Sequence, residues 1–315
     1  MDRGKKVTLL QENYKLIKTG KERWQDKRIA YLMAQIYTSS NKKYSDQRYR
    51  QLNDELKQEL GTFHSLSKPT SCFLLAMMLS QGAHSRSLLT LLNDYRRLRE
   101  AGFSLSAYSY FAAYLVHFSE AAKKESLVKK AYGILKATKK KHFFLTGAED
   151  GVTAISLGQA KQLDHKNAEE IADIVEQYYR AFNEISFYRS NELQIAAATA
   201  AQLTGEFSEA LVLHIPIVVD RLNDLGIRLK GTFYSSVITL AFLDLQESLN
   251  FADLAAYLEL VLKETDLRFY KETRQVLALN LFLNENSSDD LKLPLLMLLI
   301  KLAEEQALIV ASAGS

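Results

Sequence analysis

The chain has 315 residues, 47% hydrophobic and 24% charged, with 3 prolines and 13 glycines. That is enough apolar mass for one extended core or two compact ones, and too few turn residues for a loop-rich all-β fold. A single cysteine, Cys72, excludes a disulfide framework and a thiolate metal cluster. The net charge of +3 is small but uneven: residues 1–50 carry 13 Lys/Arg against 5 Asp/Glu, and residues 251–315 carry 6 against 10. Such a gradient can orient a charged partner.

The N-terminus, Met1 to Lys6, leads into a polar amphipathic run without the apolar core of a signal peptide. No window approaches the roughly 18–20 apolar residues of a membrane span. The best candidate, Leu293 to Ile300, is cut by Lys301, Glu304 and Glu305. A cytoplasmic protein without membrane contact is expected.

In chain order, Leu9, Leu10, Tyr14 and Ile17 recur at helical spacing in a leading helix that ends at Gly20. From there the chain reads as about seven tandem helical hairpins of about 40 residues each. The first helix of each is short and apolar: Ile29–Ile36, Phe73–Leu79, Tyr108–Val116, Val152–Leu157, Leu193–Ala201, Phe233–Phe242 and Val276–Phe282. Their Ala, Ser and Thr residues let backbones approach, and a helix apolar nearly all round is a buried one. The second helices, such as Leu88–Leu98, Ile171–Tyr178 and Leu254–Leu262, carry one apolar stripe and one wet face. The junctions after them share a pattern, as in Ala101-Gly102-Phe103, Leu225-Gly226-Ile227 and Leu267-Arg268-Phe269. In these an apolar residue is expected to pack back on the turn it leaves.

Pro69 and Pro294 sit near helix starts, where a missing N–H costs little, and Asp289 or Asp290 can cap the last helix. Pro216 falls inside Leu211–Val219, so a kink or break is expected near Leu213. The fold class is therefore all-α, α-solenoid-like or a closed helical toroid. The aliphatic, small-residue first helices favour the open stack, since a toroid would line a cavity with more polar and aromatic groups. The expected organisation is one helical-repeat domain over residues 1–315, with a leading helix over 1–26, stacked hairpins over 27–306 and a tail over 307–315.

The stretch Lys141, His142, Phe143, Phe144, Leu145, Thr146, followed by Glu149 and Asp150 and then a small-residue helix, resembles an uncharacterised bacterial family. That family is a domain of unknown function about as long as this chain. Ala30–Tyr37 and Arg97–Phe103 fit the same resemblance. It implies an all-helical cytoplasmic bacterial protein and brings no activity, cofactor or catalytic residue.

The densest set of candidate ligands is His142, Thr146, Glu149, Asp150 and His165. Two histidines and two carboxylates near a helix start suit a metal, and free N–H groups with Thr146 suit an anion. Against this, Thr146 and Glu149 spell a capping box for a helix starting at Thr146, and Asp150 favours the helix dipole. No HExxH or His-x₃-His spacing places two ligands on one face, so no metal or cofactor is expected.

A run of lysines, Lys123, Lys124, Lys129, Lys130, Lys136, Lys139, Lys140 and Lys141, makes a basic helix face that nucleic-acid phosphates could meet. Of these, only Lys124 falls on the apolar stripe of Leu127, Ala131, Ile134 and Leu135. The absence of arginine and of any nucleic-acid motif favours a plain solvated face. His214 beside Pro216 reads as a packed histidine, and no nucleophile elbow, phosphate loop or dinucleotide fingerprint occurs. The expected function is a helical-repeat scaffold for a protein or peptide partner. The alternatives are a toroidal enzyme with a polar site near 142–150, and a nucleic-acid binder using residues 123–141.

Overall fold

Several helix starts in this chain are set by side-chain caps and four helix ends by left-handed glycines, while apolar spacing chooses the buried face. The computed structural model describes residues 2–60, 66, 68–104, 106–141, 147, 149–185, 187–247 and 249–286. Among these are fourteen α-helices and no strand. They are α1 Arg3–Thr19, α2 Lys27–Ser39, α3 Asp46–Leu60, α4 Lys68–Ser80, α5 Ser85–Glu100, α6 Ala107–His117, α7 Lys124–Lys141 and α8 Asp150–Gln159. After them come α9 Ala168–Glu184, α10 Asn191–Thr204, α11 Glu209–Asp224, α12 Tyr234–Glu247, α13 Phe251–Glu264 and α14 Lys271–Asn286. The chain is all-α, and every expected first helix is present as one of the even-numbered elements.

Caps explain several of the starts. Asp26 accepts from the Arg28 N–H at 2.8 Å, and Ser190 and Ser208 accept from the third residue of α10 and α11 at 3.2 Å. A complete capping box opens α9. The Asn167 amide oxygen accepts from Glu169 and Glu170 N–H at 3.0 Å, and Glu170 returns a carboxylate to the Asn167 N–H at 2.7 Å.

The chain divides into two compact units. Unit 1 holds the described residues up to Leu92 together with 252–285, and unit 2 those from Asn93 to Phe251 together with Asn286. In unit 1, α2 packs on α1 and α4, and α3 packs on α4. Here α2 also meets α14: Gln35 donates to the Leu277 carbonyl at 3.2 Å, and the Asn280 amide reaches Gln35 at 3.5 Å. The first hairpin and the last described helix are thus neighbours in this unit. In unit 2, α6, α8, α10 and α12 pack successively, with α7 and α9 against each other and against α8 and α10.

The even helices form the core because they are apolar on every side. In α10, all eleven residues from Leu193 to Leu203 are buried. Each large aliphatic side chain so withdrawn from water contributes roughly 1.5–3 kcal/mol. Some of the polar groups among them are paired between helices, as where Ser156 donates to Gln202 Oε1 at 2.9 Å. Cys72 is buried in α4 beside the Gln25 amide, 3.4 Å away.

The helix ends follow the junction pattern where a glycine permits it. Gly102 has φ +98°, and the Phe103 N–H then closes on the Leu98 carbonyl at 3.1 Å. Phe103 is buried there against Tyr132, with ring centroids 5.5 Å apart. Gly226 and Ile227 repeat the arrangement, with Ile227 N–H to the Leu222 carbonyl at 2.8 Å. A Cβ at Gly102 would stand 2.6 Å from the Tyr132 hydroxyl. We therefore expect Gly102→Ala to destabilise by about 1–3 kcal/mol in urea unfolding, from the strained φ together with the clash. Adding Tyr132→Phe should recover only part of this, because the φ strain stays; full recovery would show that the clash alone matters.

At one junction the buried residue is the first apolar one, and the break expected near Pro216 is absent. After α13 it is Leu267 that is fully buried, while Phe269 stands 88% exposed. Around Pro216 there is no break: α11 runs unbroken from Glu209 to Asp224. Pro216 lies on the exposed side with Leu213 and Ile217, where a proline is accommodated without ending the helix.

Candidate functional site

Of the residues proposed as ligands, His142 and Thr146 lie outside the described residues, as do Asp289, Asp290 and Pro294. The helix expected at Thr146 starts instead at Asp150, with Glu149 as the residue before it. The reason is local. Asp150 Oδ2 accepts from the Gly147 N–H at 2.8 Å, so Asp150, not Glu149, closes the turn that enters α8. Glu149 turns toward the start of α10, where its Oε1 accepts from the Asn191 amide at 2.7 Å. His165 stands exposed just after the short 3-10 turn Lys161–Leu163.

Asp150 is 6% exposed, an unusual place for a carboxylate. Burial pushes its pKa up to about 7, and neighbouring Glu149 adds to the shift. The Gly147 N–H and Lys139 oppose it. Beside it lies a cavity of about 10 Å³, room for one water molecule, lined by Thr138, Asp150, Thr153 and Gln194 among apolar residues of α7, α8, α9 and α10. The Gln194 amide nitrogen is 3.5 Å from Asp150 Oδ1, while Gln194 Oε1 and the Thr153 hydroxyl have no hydrogen-bond partner. The arrangement can hold a proton and a water.

The basic face is largely engaged by the protein itself. Lys140 pairs with Glu169 at 3.0 Å and Lys141 with Asp173 at 2.6 Å, both on α9. Lys123 pairs with Glu120, Lys130 donates to the Leu163 carbonyl at 2.8 Å, and Lys136 lies 4.5 Å from the Tyr132 ring centre. Lys139 is exposed, and its charge is felt by Asp150. Among the described residues, no group of three or more His, Cys, Asp or Glu converges as a metal site would require. No described helix is long and apolar enough to cross a membrane.

The family described as "Protein of unknown function (DUF4003)" matches residues 13–313. The chain belongs to this DUF4003 family. It is similar to the "Uncharacterized protein YeaA" of Bacillus subtilis (strain 168), with 21% identity over 268 residues, covering 84% of this chain and 79% of that protein. No solved structure matches.

This DUF4003 chain also has two buried ionic clusters in unit 2 that sequence reading missed. Asp94 on α5, 1% exposed, accepts from Lys124 at 2.6 Å and from Arg97 at 2.6 Å. The His117 Nδ1 lies 3.9 Å from the same carboxylate, and burial, with Lys124 nearby, lowers the His117 pKa against the pull of Asp94. Asp244 on α12 accepts from His214 at 2.7 Å, from Arg221 at 2.7 Å and from the Leu249 N–H at 2.8 Å. His214 is thus packed, as its sequence setting implied, and hydrogen-bonded besides. The signal for the first cluster was the position of Lys124 on the apolar stripe of α7, since a lysine there needs a counter-charge.

Proposed function

We propose that the protein is a helical scaffold that binds a protein or peptide partner through aromatic side chains presented at its inter-helix turns. One observation carries this reading. Trp24 and Phe269 in unit 1 and Tyr188 in unit 2 are 82%, 88% and 81% exposed, while many of the chain's other aromatics are buried. Exposed Trp and Tyr are the side chains that most often anchor an interface. The cavity beside Asp150 supports no enzymatic alternative, because it is water-sized. The lysine face of α7 gives a nucleic-acid reading little support, because most of its ammonium groups already have partners.

The reading is tested by crosslinking the tagged full chain in its native bacterium and comparing wild type with Trp24→Ala/Phe269→Ala, each with and without nuclease. Surface substitutions of this kind change stability by only about 0.5 kcal/mol, so the variant should stay folded. A protein that survives nuclease and disappears in the double variant is expected. The same captured set in both forms, or material lost to nuclease alone, would remove the reading.

A further inference from the structure

Resting on that scaffold reading, the geometry points to a docking surface in unit 1 for an acidic peptide with apolar anchors, formed where the α1–α2 and α13–α14 turns meet. The two turns are tied together. Lys27 Nζ donates to the Asp266 carbonyl at 3.2 Å and lies 3.4 Å from its carboxylate. The Tyr31 hydroxyl accepts from the Asp266 N–H at 3.3 Å, and the Tyr14 hydroxyl donates to Asp266 Oδ2 at 3.3 Å. The Tyr270 ring is faced by Arg28 at 5.1 Å and by Lys27 at 5.4 Å. These contacts fix the two turns side by side and leave Trp24 on one and Phe269 on the other projecting into solvent.

The charges around these rings decide the partner. Arg28 is held by Asp26 through two bonds of 2.8 and 3.0 Å, Lys27 by Asp266, and Arg274 by the carbonyls of Leu267 and Arg268. Asp26 and Asp266 are thereby neutralised. Two exposed guanidiniums remain, Arg23 beside Trp24 and Arg268 beside Phe269, and no described carboxylate lies within ion-pair reach of either. Arg23 lies 5.4 Å from the Trp24 ring centre, which displays its donors at the rim of the aromatic surface. Aromatic anchors flanked by unopposed arginines fit carboxylates, which a guanidinium grips with paired hydrogen bonds, next to apolar side chains that cover the rings. Two free cations beside two fixed aspartates suit a short acidic segment better than the continuous phosphate charge of a nucleic acid.

Trp24 is the only tryptophan in the chain, so its fluorescence reports on this surface alone. The full chain is titrated with four tryptophan-free probes. These are a pool of short peptides alternating Glu with Leu or Phe, the same pool with Lys for Glu, a Glu-Ser pool of equal charge, and a short oligothymidylate. We expect a saturable blue shift with the Glu-Leu/Phe pool, weakened about tenfold or more by Arg23→Glu/Arg268→Glu and by added salt, and weaker responses to the other three. Three outcomes overturn the inference: silence of the first pool, an equal response to the Lys pool, or tighter binding of the oligonucleotide. If partner capture still depends on Trp24 and Phe269 while the acidic pool is silent, the scaffold reading stands and only this assignment of partner chemistry falls.

Discussion

Replacing Asp94 by alanine should cost about 3–5 kcal/mol of stability, a large effect for one polar substitution in this chain. The change removes one carboxylate but leaves three cationic or protonatable groups around the space it filled: Lys124, Arg97 and His117. Arg97 is 42% exposed at its side chain and can turn to water. Lys124 cannot, since its side chain is 8% exposed and its ammonium points at the lost partner. A buried ammonium without a counter-ion must either stay charged in apolar surroundings or give up its proton, and both are unfavourable. The companion variant Asp94→Leu/Lys124→Met removes both charges and should recover most of the loss, because a buried pair replaced by apolar groups is often neutral or stabilising. Urea midpoints of the two variants against wild type check this. A single variant within 1 kcal/mol of wild type, or a double variant as weak as the single one, would show that Lys124 is solvated in some way the packing does not suggest.

The same cluster shows where sequence reading stops. A lysine on the apolar stripe of α7 is visible from a helical wheel, and it signals that a counter-charge exists. Its partner lies 30 residues away on another helix, and no local pattern selects Asp94 over the other acids of α5 and its neighbours. The even-numbered helices were legible because their apolar runs are long enough to exclude a wet face. The meeting of α2 with α14 was not legible, since it depends on contacts between residues more than 240 apart, such as Gln35 with Leu277 and Asn280.

At shorter range the failures have one cause, a degenerate local spelling. Leu267 and Phe269 flank one arginine, either could fold back on α13, and only the tertiary fit puts Leu267 inside. Glu149 and Asp150 are adjacent acids that could each close the entry to α8. The sequence favoured Glu149 through the capping-box pattern, while the fold uses Asp150 and sends Glu149 to Asn191. The exposed rings of Trp24 and Phe269 belong to the same class. Their positions in turns are evident, but that the two turns meet depends on a contact between Lys27 and Asp266.

Asp150→Asn should raise stability at pH 8 by an amount on the order of 4 kcal/mol and leave it nearly unchanged at pH 4. The sign follows from linkage. The folded-state pKa is pushed up to about 7, while an unfolded aspartate titrates near 3.9, so the folded protein holds the extra proton between those values. Stability that depends on neutral Asp150 is fully present below about pH 4 and is lost progressively as pH rises through about 7. Three pH units at roughly 1.4 kcal/mol each set the magnitude. Asparagine keeps the shape and the acceptor for the Gly147 N–H without the charge. Its NH₂ group stands where Asp150 Oδ1 meets the Gln194 amide nitrogen, and once that amide turns over it donates to the Gln194 Oε1 that lacks a partner. Wild-type protein should therefore lose stability between about pH 4 and 7 relative to the variant, with the two curves meeting at acid pH. Asp150→Ala separates charge from hydrogen bonding: it too flattens the pH profile but sits below the asparagine variant throughout, because it leaves Gly147 and Gln194 unserved. Parallel wild-type and asparagine profiles across this range would mean that Asp150 is ionised with a normal pKa, and that a water or counter-ion enters the cavity beside it.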